Sequence, residues 1–181
     1  LVMKQFAPLN LSFWQHCKRL LRHWFTFSYQ THRLLPTDKR ETLAARIEQS
    51  ELTHTGEIAI AFETRLPYGY LVRQARARER AWTVFSKMQV WDTPNDNGVL
   101  IYFLVAERRI ELLADRGLAK LVEQNQWDAW VHELYTSLQN NQLHDGLHVV
   151  IEQISAVLAQ HFPQSESVET ENRSINLPQI L

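Results

Sequence analysis

Apolar positions in this chain recur in two ways, at helical three- and four-residue steps and in short unbroken or alternating runs. From Leu11 to Phe27, Trp14, Cys17, Leu21 and Trp24 follow the helical step, with Phe13, Leu20 and Phe25 beside them. This predicts an amphipathic helix whose other face is basic. Such a helix either lies on a membrane surface or packs its apolar face on the domain. The packed arrangement is the expectation, because a basic helix face is usually a solvated one. Leu35-Pro36 closes the region, and Thr37 or Asp38 caps a second helix that runs to about Thr53. Asp38-x-x-Glu41 has capping-box spacing, and Leu43, Ala44, Ile47 and Leu52 point inward.

Gly56 breaks that helix, and Glu57–Thr64 alternates as a strand that Pro67 stops. Tyr70–Met88 reads as a third helix, with Leu71, Ala75, Trp82 and Phe85 on one face and Arg73, Arg76 and Arg80 on the opposite one. Arg78 falls near the apolar stripe, so it either snorkels or pairs with a carboxylate such as Glu57 or Glu63. The Asp92–Asn97 turn leads into Val99–Ala106, an unbroken apolar run of the kind buried on both faces of a sheet. Glu107-Arg108 closes a tight hairpin into Ile110–Leu113. Helices follow over Leu118–Gln139, broken near Asn125, and over Leu143–Phe162, while the chain past Pro163 is polar and expected to fray.

The element order predicts an α/β fold, a mixed sheet with a strand-helix-strand-strand core sandwiched by helices. Residues 1–53 form an N-terminal helical extension packed on the domain, 54–163 the α/β domain, and 164–181 a polar tail. A right-handed first crossover makes the first two strands parallel, and the hairpin sets the third against the second. One rim then gathers the start of strand one (His54, Glu57), the start of strand two (Asp92, Asp96, Asn97) and the end of strand three (Asp115, Arg116).

Composition narrows the function classes. The 181 residues suit one domain, and 45% apolar with 22% charged residues is ordinary globular usage. A net charge of −1 argues against broad attraction to nucleic acid or anionic lipid. The lone Cys17 excludes an internal disulfide and a cysteine-built metal site. No apolar run reaches the roughly 18 residues of a membrane span, and His16, Lys18, Arg19, Arg22 and His23 interrupt the first apolar segment. The expectation is a soluble, cytoplasmic protein with no membrane span.

Carboxylates gathered at a rim either pair with arginine or bind a hard cation, Ca²⁺ or Mg²⁺, and a cation with arginine can hold a phosphate. The structural alternative is that Asp115 caps the next helix and that Pro94–Gly98 is turn chemistry. His144 and His148, one helical turn apart, lack the glutamate and third ligand of a zinc site. Arg73, Arg76 and Arg80 read as a solvated face, so no nucleic-acid partner is expected. No Gly-rich phosphate loop or nucleophile elbow is present, and no organic cofactor is expected.

The blocks "GEIAIAFE" (Gly56–Glu63), "RERAWTVFSKMQVWDTPNDNGVLIYFLVAERRIELLADRGL" (Arg78–Leu118), Trp127 with Trp130, and "GLHVVIEQISAVLAQHFP" (Gly146–Pro163) resemble the TPM domain family. The resemblance runs from His54 to Pro163 and is strongest at Asn97–Leu100 and Asp115–Gly117. It implies an α/β sandwich and, as described for some members, acid-phosphatase activity and calcium binding; other members have photosystem-repair or membrane-linked roles. The chain is more similar to a cytosolic bacterial subgroup without signal peptide or membrane anchor, extended at its N-terminus by Leu9–Thr53. The leading expectation is a divalent-cation-binding, weak phosphomonoesterase acting on a small phosphorylated substrate. Asp115 and Asp92 would bind metal or position water with help from Asp96, while Arg116 and Arg78 would stabilise phosphate charge. The rival expectation is a non-enzymatic interaction module that meets a protein partner through Phe13, Trp14, Trp24 and Phe25.

Overall fold

Strands β1 (Ile58–Glu63), β2 (Val99–Leu104) and β3 (Arg109–Ala114) form where the apolar runs predict them, and a short fourth strand, β4 (Gln179–Ile180), completes one sheet in the order β3-β2-β1-β4. The chain is described here by a computed structural model over residues 6–164 and 177–181. β1 pairs in parallel with β2, and β2 pairs antiparallel with β3, Val99 lying opposite Ala114. Every residue of β1 and β2 is buried because both sheet faces are covered.

Side chains alternate between two cores. Ile58, Ile60, Phe62, Val99, Ile101 and Phe103 face α3 (Thr37–Glu51), α7 (Gln124–Gln139) and α8 (Leu143–His161), whose Ile47, Trp130, Leu134, Val150 and Ile154 fill that layer. The register sets Phe62 beside Phe103, and their rings stack at 4.5 Å. Ala59, Ala61, Leu100 and Tyr102 face the other way, against Ala81, Val84 and Phe85 of α5 (Ala77–Lys87). The result is a mixed α/β sandwich, as the periodicity and topology rules predict.

The chain departs from expectation in several of its helices and at its C-terminal end. The expected third helix is two, α4 (Tyr68–Val72) and α5, because Gln74 takes a left-handed φ of 55° and Arg76 is extended. This break resets the helical phase: Arg80 turns inward to Glu63, and Arg78 lies exposed with its guanidinium on Glu111 at 3.1 Å. The expected first helix is present as α1 (Phe13–Trp24), and an unexpected short helix, α2 (Ser28–Leu34), follows it. α1 starts on a capping box of Ser12 and Gln15, whereas α3 follows Pro36 with no side-chain cap, and Leu52 is exposed. The segment from Leu118 is interrupted close to Asn125, as expected, into α6 (Arg116–Ala119) and α7. Finally, the chain's last residues are held in the sheet: β4 runs parallel to β1, and the Leu181 N–H donates to the Phe62 carbonyl at 2.7 Å. The expectation of a fraying tail fails there, and for residues 165–176 it lies outside the described residues.

Candidate functional site

The rim predicted from topology exists. The Asp115 N–H donates to the Gly98 carbonyl at 2.9 Å, and the Gly117 N–H donates to the Asp96 carbonyl at 2.7 Å, so the β2 turn and the start of α6 are bonded together. This contact needs glycine at both places. A Cβ on Gly117 would stand 2.2 Å from the Asn95 carbonyl oxygen, and one on Gly98 would stand 1.8 Å from that of Val90. Asp115 is buried and caps α6 by accepting the Arg116 N–H on Oδ1 at 2.7 Å. Arg116 reaches Asp96 at 3.7 Å, where both side chains are largely exposed. Asp92 is exposed in the turn after α5, its N–H donating to the Gln89 carbonyl at 2.8 Å. Arg78 is not at this rim, since its partner Glu111 sits in the middle of β3.

Three neighbours add polar atoms to the rim. Asn97 is fully buried; its side-chain amide donates to Thr55 Oγ1 at 3.1 Å, and its Oδ1 has no hydrogen-bond partner among the described residues. The Asn95 amide donates to the same hydroxyl at 2.9 Å. His54 is buried, and neither of its ring nitrogens makes a well-formed hydrogen bond there. Burial pulls the His54 pKa below the usual imidazole value, against smaller opposing effects of the Gly56 backbone and its own. Among the described residues, no group of three or more His, Cys, Asp or Glu side chains is placed to hold a metal ion. Oxygen donors at this rim would therefore include the Asn97 carbonyl as well as Asp96 and Asp115.

A second feature lies at the opposite end of the parallel strands, and sequence reasoning placed it the wrong way round. α1 buries its polar face. Arg19 Nε donates to Glu107 Oε1 at 2.6 Å and Arg19 Nη2 to the Ala75 carbonyl at 2.6 Å. His23 Nε2 lies 3.0 Å from the same Glu107 oxygen, while its Nδ1 accepts the Leu66 N–H at 3.1 Å. The second contact fixes the tautomer: Nδ1 is the acceptor, so Nε2 carries the proton. Phe13, Trp14 and Trp24 are each 74% exposed, and Leu21 and Phe25 more than half. The expected apolar-inward packing of this helix is thus overturned by one carboxylate, Glu107, in the 3-10 turn Val105–Glu107 that follows β2. The signal was present as Arg19 and His23 at i, i+4 on the face opposite the aromatics.

Beside this anchor runs a groove of about 640 Å³ between α1 and the β2–β3 hairpin. Lys18 and Arg22 line it from the helix and Arg108 and Arg109 from the hairpin, with Tyr135 of α7 as part of its wall.

The family model described as TPM domain matches residues 28–157. The chain belongs to the TPM domain family. No curated protein matches it. A similar fold is seen in the NMR structure of the BA42 protein from the psychrophilic bacterium Bizionia argentinensis, with 23% sequence identity and a TM-score of 0.69, covering 81% of this chain and 95% of that one. At that identity the likeness speaks for the fold. The matched TPM segment includes the whole rim but begins after α1, so the helix that turns its aromatics outward is additional to the family domain.

Proposed function

We propose that this TPM-domain protein is a non-enzymatic docking module that seats itself on an anionic bilayer surface through the outward face of α1. One observation carries the reading: the helix spends its polar side chains on specific buried bonds and presents its aromatics to solvent. A face of this kind is stable in water only as an exposed patch and gains by meeting an apolar phase. Phe13, Trp14, Leu21 and Trp24 fall within a sector of about 100° of the helix, with Lys18 and then Arg22 next around it on one side. Tryptophan with cations beside it is the side-chain chemistry of the bilayer interface, where the ring sits among headgroups. Immersion of each large side chain is worth up to about 1.5–3 kcal/mol. Each cation at an anionic leaflet adds about 1 kcal/mol. The local charge matters here, not the overall −1. No helix among the described residues is long and apolar enough to cross a membrane, and this reading requires none.

Sedimentation with phosphatidylcholine vesicles, with and without phosphatidylglycerol, tests it. The expected result is binding that requires the anionic lipid, weakens with salt and falls at least about tenfold in the Trp14→Ala/Trp24→Ala variant. Unbound protein with every vesicle overturns the proposal. So does concentration-dependent dimerisation that the same variant abolishes, which would assign the face to a second copy.

The rim supports a second reading, a weak phosphomonoesterase dependent on Ca²⁺ or Mg²⁺. Its support is the convergence of Asp96, Asp115 and Arg116 with the unpartnered Asn97 Oδ1. In this reading Asp115 and Asp96 hold the cation, Asp92 assists at the turn, and Arg116 neutralises phosphate, while Arg78 is too far along β3 to take part. Asp115→Asn keeps an oxygen for the α6 cap, so the fold is retained. It is expected to lower cation-dependent hydrolysis of a phosphomonoester by about tenfold or more. Equal rates in the two proteins reject this reading.

A further inference from the structure

The groove between α1 and the β2–β3 hairpin concentrates positive charge in a protein whose net charge is −1. Of the cations lining it, Arg19 is committed to Glu107, whose Oε1 it shares with His23. Lys18, Arg22, Arg108 and Arg109 are all exposed, and none forms an ion pair with a described residue. Four uncompensated cations facing one cleft repel one another, and a bound anion relieves that repulsion. Two further atoms point to a ligand. Arg19 is only 6% exposed, yet its Nη1 has no hydrogen-bond partner among the described residues. Tyr135 accepts the Ile110 N–H at 3.2 Å, which leaves its own hydroxyl proton to donate. Arg108 also occupies a left-handed turn position (φ 49°), which favours glycine or asparagine for backbone reasons alone.

We infer that this groove is a binding site for a phosphate-bearing anion, held by Arg22, Arg108 and Arg109 with Lys18 and the Tyr135 hydroxyl. Guanidinium forks match phosphate oxygens in pairs, and a cleft of about 640 Å³ suits a small ligand. The site lies beyond the carboxyl ends of the parallel strands β1 and β2, where open α/β sheets place their ligands. Six of its ten lining residues, four of them on α1, lie outside the matched TPM segment, so it is a property of this chain. The phosphate is carried either by a free small molecule or by a lipid headgroup, and the inference stands whether or not the aromatic face inserts into a bilayer.

Titration of the full chain with inorganic pyrophosphate, followed by heteronuclear NMR and calorimetry at constant ionic strength, tests the site. Saturable binding is expected, with shifts centred on Arg22, Arg108 and Arg109, and a loss of affinity of about tenfold or more in Arg22→Gln/Arg109→Gln. Both substitutions are at exposed positions, and an unchanged thermal midpoint confirms that the fold is kept. The Trp14→Ala/Trp24→Ala variant is expected to bind pyrophosphate normally, which separates this site from insertion of the helix face. Displacement of bound pyrophosphate by phosphatidic acid vesicles assigns the phosphate to a headgroup, and persistence assigns it to a free ligand. The inference is overturned by an absence of saturable binding at millimolar pyrophosphate, by equal binding in the Arg22→Gln/Arg109→Gln variant, or by an equal response to chloride at the same ionic strength. Any of these leaves the vesicle result to stand or fall alone.

Discussion

Replacing Glu107 with alanine is expected to release α1 while the sheet stays folded. Glu107 is the shared acceptor of Arg19 and His23, and the side chains of all three are at most 11% exposed. Removing one member of a buried, hydrogen-bonded charge group typically costs about 3–5 kcal/mol, because the remaining charge is left without compensation. α1 packs chiefly on the turn that carries Glu107, so the chain has an escape that a core strand lacks: the helix can undock and return Arg19 to water. The loss is then capped at the docking free energy of α1. A cost of about 3 kcal/mol raises the undocked population by more than about a hundredfold. Tryptic cleavage at Lys18, Arg19 and Arg22 should accelerate accordingly, with little change in the urea midpoint of the sheet. A single cooperative loss of both would instead make α1 part of the core. Acid should reproduce the effect in the unaltered protein. Burial alone would raise the Glu107 pKa, yet the His23 hydrogen bond and Arg19 outweigh it and hold the carboxyl below its ordinary 4.5. A depressed carboxylate stabilises fully above its unfolded value, and that contribution disappears as pH falls through the folded one. Release of α1 is therefore expected below about pH 4.5 and not near neutrality.

The orientation of α1 shows where periodicity stops being informative. Spacing establishes that Trp14, Leu21 and Trp24 share a face, but the direction of that face depends on a residue 84 positions away from His23. The same limit applies to the break between α4 and α5. Gln74 is steadied in its left-handed conformation by the N-terminal segment: the Leu9 N–H donates to its carbonyl at 3.1 Å and the Leu11 N–H to its Oε1 at 2.7 Å. No local pattern contains those bonds. β4 is two residues long and joins the sheet through backbone groups, which leaves no side-chain alternation to read. By contrast, β2 was legible because burial on both sheet faces demands a continuous apolar run, β1 from its alternation, and the half-exposed β3 from the tight hairpin that follows β2. The gathering of Asp96, Asp115 and Arg116 at one rim followed from a short hairpin and a helical crossover, both of which sequence length constrains. Arg78 was misplaced for the same reason as Arg80: both depended on the phase of a helix that is interrupted just before them.

Arg80 leads to the second large effect. Glu63 closes β1, is 3% exposed, and accepts two bonds from Arg80 Nε at 3.0 and 2.9 Å, one from Arg80 Nη2 at 2.7 Å, and a short bond from the Tyr102 hydroxyl. Glu63 acts on both of its partners in the same direction. Glu63 pushes the Arg80 pKa up, while burial and then the adjacent Glu63 charge push the Tyr102 phenol up, so Tyr102 remains a donor throughout the accessible pH range. Glu63→Ala strands a nearly buried guanidinium and a buried phenol at once. Arg80 has no solvent escape comparable to that of α1, because it is built into α5, which packs on the sheet. A loss of about 3–5 kcal/mol is expected, a large fraction of the 5–15 kcal/mol typical of a domain, read as a lower urea midpoint with the slope unchanged. Glu63→Gln keeps one acceptor and should cost less. The decisive comparison is Glu63→Leu with Arg80→Met, which removes the charge and its partner together. That pair is expected to regain much of the loss, because the cost arises from the uncompensated charge rather than from the missing bonds. Strictly additive single-variant losses would show that the cluster does not act as a unit.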